Sequence, residues 1–451
     1  MVGLTDLARS RRCSLSAETC QETADGSAQA DVRPLPRLHS ALRRAAPALG
    51  LFAAARLTGL LVMAGWAWRI DRPPRRTLAR SWDSDWYMLI AEHGYGRTLT
   101  WPDGAVQSDL AFFPLYPGLI RAVTAVLPVT SGSAGLLISW AGAATAALGI
   151  YAIGELLYGR RAATALVLLW GLLPHSIVLS MAYTEPVLTA FAAWSLYAVL
   201  TGRWLWAGAL SALAGLARPN GIAVAAAVLA AAGYSALKAR GEAREGHLGE
   251  ADREARGNAR GEARERDRGK AREGNRERRR EKARGRRRRL WAGAALAPAG
   301  WCAYVLYVGF RTGDPLGGYF AVQRGWTSKF DFGVGALRVV RDIVLRPALL
   351  PMVLALLIVA ASVVLFALLV LARPPVALLV YTGVLVLITV GGSGFFESKP
   401  RFLLPAFPLL LPLARAMTKA RPGAAALVTV ALAGLSFAYG TYLLMLSPIA
   451  L

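Results

Sequence analysis

The chain has 451 residues, 55% hydrophobic and only 18% charged, with a positive mean hydropathy; about a quarter charged is usual for a soluble chain, so an ordinary water-soluble domain is excluded. The formal net charge of +24 does not make a nucleic-acid binder, because 21 of the 52 basic and 11 of the 28 acidic residues lie between Lys238 and Arg289 and the rest flank apolar runs, as positive-inside anchoring requires. Cys13, Cys20 and Cys302, with four scattered histidines, supply neither a disulfide framework nor metal-ligand spacing.

Residues 1–45 are polar, Arg-rich and punctuated by proline, without the apolar core of a signal peptide, and are expected to be a disordered cytoplasmic tail. Apolar runs of span length follow at 46–68, 134–157, 162–181, 184–200, 221–237, 290–309, 347–372, 376–393, 402–416 and 423–446. A shorter run, 204–217, counts as a span because Arg203 and Arg218-Pro219-Asn220-Gly221 mark its ends. Residues 110–127 carry Pro114, Pro117, Arg121 and an aromatic cluster, which suits a segment lying along the membrane surface. The expectation is an all-α polytopic bundle of about eleven transmembrane helices. It has an N-terminal module (46–237) with an outer loop (69–133), a cytoplasmic Arg/Glu-rich loop (238–289) and a C-terminal module (290–451). Low-complexity charge without aromatics builds no core, so 238–289 is expected to be a solvated loop with at most transient helix. Six crossings, an even number, separate the tail from this loop, which puts both in the cytoplasm.

That topology sorts the polar motifs onto the other face: Ser81 to Tyr87, Met181 to Pro186, Arg218-Pro219-Asn220, Gly313 to Trp326 and Glu397 to Phe402. Ionisable residues at the ends of apolar spans are costly, so a cluster of them reads as a site. Asp83 and Asp85 stand between Trp82, Trp86 and Tyr87; rings beside carboxylates hold sugars, and a carboxylate in such a setting can serve as a general base. In an extended loop the two aspartates would point in opposite directions. An aromatic belt with two solvated aspartates would account for the same residues. Glu185 precedes Pro186 and fits a helix first turn as well as a site; Arg218, Lys399 and Arg401 could reach lipid headgroups or could together grip a lipid-linked phosphate leaving group. Asp83, Asp85 and Glu185 have the oxygens for a divalent cation, which leaves that cofactor open. Gly391-Gly392-Ser393-Gly394 lacks the Lys-Ser/Thr of a phosphate loop and is expected to be a turn.

Trp82-Asp83, Trp86-Tyr87, Ile90-Ala91 and Gly94-Tyr95, followed by Ala111-Phe112-Phe113-Pro114-Leu115-Tyr116-Pro117, resemble the opening signature of the PIG-V mannosyltransferase family. Tyr183-Thr184-Glu185, Arg218-Pro219-Asn220-Gly221, Gly313-Asp314-Pro315 and Ser398-Lys399-Pro400-Arg401-Phe402 follow in the family order, in a form that looks actinobacterial. The resemblance covers roughly residues 50–416. It implies a GT-C glycosyltransferase of the bacterial cell membrane that takes mannose from a polyprenyl-phosphate-mannose donor to a lipid or glycan acceptor outside the cytoplasm, the eukaryotic members acting in GPI-anchor assembly. Asp83 would be the catalytic base, with Trp82, Asp85, Trp86, Tyr87, Glu185, Arg218, Lys399 and Arg401 around the substrates and membrane-surface helices in the first outer loop. The chain departs from the family at Gly96-Arg97 and in the Arg/Glu insert. A flippase or transporter of a lipid-linked sugar would also present cations and aromatics, though near mid-membrane, and a non-catalytic subunit of a glycosylation complex is a third reading.

Overall fold

A computed structural model describes residues 35–447, apart from residue 103 and residues 258–264. The chain divides at Arg43 into an N-terminal unit, described only from Leu35 onward, and a body from Arg44 to Leu451. The elements in order are α1 (Leu35–Arg69), α2 (Pro74–Ala79), α3 (Asp83–His93), an antiparallel hairpin of β1 (Thr98–Thr100) and β2 (Val106–Ser108), α4 (Leu115–Val126), α5 (Ser131–Gly171), α6 (Glu185–Leu200), α7 (Trp204–Ala217), α8 (Ile222–Gly257) and α9 (Glu265–Leu296). Then come α10 (Ala299–Arg311), α11 (Gly318–Gly325), α12 (Val334–Leu345), α13 (Leu350–Leu371), α14 (Val376–Gly391), α15 (Lys399–Phe402), α16 (Leu411–Lys419) and α17 (Pro422–Met445).

Six stretches among the described residues are helices long and apolar enough to cross a bilayer: Ser40–Arg69, Ser131–Gly171, Pro219–Gly241, Glu281–Arg311, Leu350–Leu371 and Pro422–Met445. A seventh arises if Phe396–Phe402 and Phe407–Lys419, bent by 78°, count as one broken span. The eleven crossings expected from apolar runs therefore exceed the helices that meet the length on their own. The difference lies in α6, α7 and α14, which are apolar but short; the 16 residues of α6 rise only about 24 Å against a hydrocarbon core of about 30 Å. The run 162–181 is likewise no single helix. Gly159, at φ 81 and ψ 175, breaks α5 into two limbs where the runs 134–157 and 162–181 are expected to part, but the second limb ends at Gly171 and the chain passes into a 3-10 turn at Ser176–Ser180. Residues 110–127 become the short 3-10 turn Asp109–Ala111 and the 12-residue α4.

Most of the expectation for residues 1–45 lies outside the described residues, but from Leu35 onward the chain is helical. The Arg/Glu-rich segment differs from the solvated loop expected of it: α8 runs on to Gly257 and α9 resumes at Glu265. Alanine, arginine, glutamate and lysine are all strong helix formers, and no proline interrupts 238–289, so a segment unable to build a core can still prolong the helices that flank it.

Small residues let the helices close up. A Cβ on Gly208 of α7 would strike the carbonyl of Gly293 in α9, and one on Gly293 would strike that of Trp204. Seven residues further along each strand of the contact, Gly215 meets Trp301 and Gly300 meets Ala212 in the same way. Backbone approach of this kind substitutes dispersion contact for the hydrophobic drive that lipid does not supply. A buried cation fixes a second junction. Arg56 of α1 donates to Ser180 Oγ from Nε (3.2 Å) and Nη2 (3.0 Å), and from Nη1 to Gly171 O (3.2 Å) and Ser176 Oγ (2.5 Å). Ser176 Oγ in turn stands 2.9 Å from Ser436 Oγ of α17. Among the described residues no carboxylate pairs with Arg56; neutral acceptors satisfy it, and they pin the turn that leads to α6.

Candidate functional site

The site begins with a local anomaly. Trp82, which caps the N-terminus of α3, has φ 54, a conformation that a bulky residue adopts only when its surroundings enforce it. The enforcement is visible next door. Ser84 Oγ donates to Ala182 O (3.0 Å), the Ala182 amide donates to Leu78 O (3.0 Å), and Tyr183 Oη reaches Ser81 O at 3.4 Å. The start of α3 is thereby stitched to the segment before α6, which brings Asp83, in the first turn of α3, and Glu185, in the first turn of α6, within reach of one guanidinium, that of Arg401. Both carboxylates also sit where a helix N-terminus favours negative charge.

Two arginines close the group. Arg218, at the end of α7, places Nη1 2.5 Å from Glu185 Oε1 and donates to Thr184 Oγ1 at 3.0 Å. Arg401, on the four-residue α15, places Nη1 2.8 Å from Asp83 Oδ2 and Nε 4.0 Å from Glu185 Oε1. The ring of Phe402 lies under both guanidiniums, 5.4 Å from Arg218 and 5.2 Å from Arg401, and Tyr183 offers Arg401 a second face at 5.5 Å. Two acids and two guanidiniums balance, and all but Asp83 are buried. The distances are those of ion pairs, yet neither oxygen of Glu185, nor Nε or Nη1 of Arg401, has a hydrogen bond of acceptable direction. Direction decides here rather than distance, since a charge taken out of water is compensated only when its lone pairs and protons are also engaged. Unspent hydrogen-bonding capacity on buried charges makes this group the candidate site.

The remaining candidates fall around this quartet or away from it. Tyr87 Oη stands 3.3 Å from Thr184 Oγ1, and burial pushes its phenol up to about 12, so it stays protonated. Trp86 stacks on Phe112 (5.7 Å) and meets Trp326 edge-on (5.4 Å), which makes it a packing residue that joins α3 to the end of α11; Trp82 is half-buried against the main core. Asp85 points elsewhere. Residues two apart on a helix diverge by about 200°, and the Asp85 side chain, 47% exposed against 18% for Asp83, is 3.7 Å from Arg80. Burial raises its pKa while Arg80 and Arg76 oppose the shift. Lys399 is also turned away: Nζ donates to Gly392 O at 2.7 Å and lies over the Phe396 ring, so the three cations expected together are two. Asp83, Asp85 and Glu185, whose oxygens left a divalent cation open, do not come together as three ligands. Among the described residues no three His, Cys, Asp or Glu side chains converge on a metal-sized position.

Several participants escaped sequence reasoning. Thr184 links Tyr87 to Arg218, and Phe402 carries both guanidiniums; each is the neighbour of a charged candidate, which was the available signal. Asp109 is fully buried and accepts the amides of Gly96 and Arg97, fixing the hairpin without reaching the quartet. His175 is buried with neither ring nitrogen bonded, and it borders an apolar cavity of about 220 Å³ whose wall includes Leu365, Pro400, Leu404 and Leu410. A lone histidine in an apolar run gave no hint of this. The cavity adjoins the quartet through Pro400, the residue before Arg401. No family model matches the chain, and no curated protein or solved structure matches it either.

Proposed function

We propose that the chain is a membrane-embedded glycosyltransferase of the kind the PIG-V resemblance implies, moving mannose from a polyprenyl-phosphate-mannose donor to a lipid or glycan acceptor. In this reading eleven segments cross the bacterial cell membrane, the short α6, α7 and α14 among them, and the quartet faces away from the cytoplasm. The observation that carries it is the convergence of Asp83, Glu185, Arg218 and Arg401, from stretches far apart in sequence, into a largely buried group whose charges balance and in which Glu185 and Arg401 keep hydrogen-bonding capacity unspent. A phosphodiester brings oxygens that two guanidinium forks can grip. The apolar cavity beyond Pro400 has the lining an isoprenoid chain requires.

Arrival of the donor phosphate draws Arg401 from Asp83 onto phosphate oxygens, and the freed carboxylate takes the proton of the acceptor hydroxyl. The hydroxyl oxygen forms its bond to mannose C1 as the C1–O bond to phosphate breaks on the opposite face, so configuration inverts. The electron pair leaves on the phosphate, where Arg218 and Arg401 stabilise the developing charge. Glu185 holds Arg218 and keeps the pair oriented. Lipid phosphate is already an activated leaving group, so no nucleotide site is needed. The test is transfer of labelled mannose by purified, reconstituted protein from polyprenyl-phosphomannose to a panel of acceptors. Net movement of intact donor between leaflets without transfer would favour a flippase, and neither activity would favour a non-catalytic subunit.

A further inference from the structure

Between the α11 stretch and the span α13 lies a segment that the protein itself leaves uncovered. None of the 12 residues of α12 is buried. Leu337 and Val344 are 70% and 73% exposed, Leu345 is equally bare, and Phe332, just before the helix, is 87% exposed. Phe332 also holds φ 56, a costly conformation for an aromatic residue, and what that conformation achieves is to stand the ring outward. Around the helix Arg338, Arg341 and Asp342 occupy one arc with Leu345, the exposed Leu337 and Val344 stand together beside it, and the half-buried Ala336, Val340 and Ile343 lie opposite. With three charges in so short a helix, α12 is no span.

Its position is nevertheless fixed with respect to the bilayer. Four residues after Leu345 the chain enters α13, an uninterrupted apolar helix that crosses the membrane with little of its surface covered by protein. We infer that Phe332 to Arg346 is an in-plane membrane anchor. Phe332, Leu337 and Val344 enter the acyl boundary, and Arg338, Arg341 and Arg346 extend along their aliphatic stems to the phosphates of anionic lipids. The anchor is clasped to the turn that leads to Arg401. Asp331 and Gly333 donate their amides to Gly391 O (3.1 and 3.2 Å), and the Ser393 amide donates to Lys329 O (2.8 Å). Lipid at α12 therefore steadies the carrier of that guanidinium, whatever reaction the site performs.

The experiment uses full-length protein with Cys13, Cys20 and Cys302 replaced by serine, reconstituted into phosphatidylcholine vesicles with and without phosphatidylglycerol. A nitroxide at Leu337→Cys or Val344→Cys is expected to be accessible to oxygen and shielded from a water-soluble nickel chelate, with one at Asp342→Cys reversed. A fluorophore at Leu345→Cys should be quenched more by headgroup-labelled phosphatidylglycerol than by labelled phosphatidylcholine, and that preference should fall roughly fivefold for each of Arg338→Gln and Arg341→Gln. Nitroxides at 337 and 344 that are open to the chelate would overturn the anchor. So would spin–spin broadening between copies at those positions, which would assign the face to a second chain. Equal quenching by the two lipids would overturn the anionic preference.

Discussion

Asp83 and Asp85 differ by one intervening serine and by nearly everything that decides chemistry. Asp83 faces Arg401, and Asp85 faces Arg80. Asp83→Asn retains size and some hydrogen bonding but no basicity, and is expected to slow mannose transfer by about 10²-fold or more, the scale of a lost general base. Asp85→Asn is expected to change the rate little; comparison of the two purified variants with the parent checks both, and near-parent transfer by Asp83→Asn would move the base elsewhere. Arg401→Ala should reduce turnover more than it reduces the amount of folded protein, with Arg401→Lys restoring only part, because an ammonium cannot reproduce a planar fork. Equal losses of protein and activity across that pair would make Arg401 a structural cation. Four of the nine candidates named from sequence meet in one group, and Tyr87 touches it through Thr184. Charge in an otherwise apolar chain is the signal that found them. The same signal misplaced Lys399, because a lysine that caps a carbonyl and one that grips a phosphate look alike in one dimension.

Among the helices, the contact of α7 with α9 and α10 is where a small change has the largest reach. Gly293→Leu and Gly208→Val each push side-chain atoms into the facing backbone, and overpacking of this kind costs about 1–3 kcal/mol or more. Thermal unfolding in detergent is expected to show the loss, and transfer activity should fall with it, since α7 ends on Arg218. Parent-like melting would mean that the helices stand further apart than the glycines indicate. The helical character of the bundle was legible from its apolar runs. The breaks inside those runs were not: the helix end at Gly171 and the bend between α15 and α16 interrupt stretches whose hydropathy is continuous, and a backbone reversal leaves no mark on a hydropathy average. The charged extensions of α8 and α9 were misread for the converse reason, since inability to form a core says nothing about helix propensity.

For the whole molecule, the proposed orientation sets the outer hairpin and the Arg/Glu segment on opposite sides. Single cysteines at the exposed positions Arg97 and Lys282 should then react with an impermeant maleimide from different faces of sealed vesicles; labelling from the same face would overturn the arrangement. The origin of the quartet has another consequence. Asp83, Glu185 and Arg218 come from residues before the charged segment and Arg401 from residues after it, so neither half of the chain owns a complete site. Two polypeptides separated between Gly257 and Glu265 and produced in one cell should each be inert yet restore transfer when they dock, with the glycine-lined seam between α7 and α9 as their mating surface. Because the seam and the site are separate, damage can be shared out. A fragment pair carrying Arg401→Ala should still co-purify and stay inactive, whereas a pair carrying Gly293→Leu should fail to associate at all.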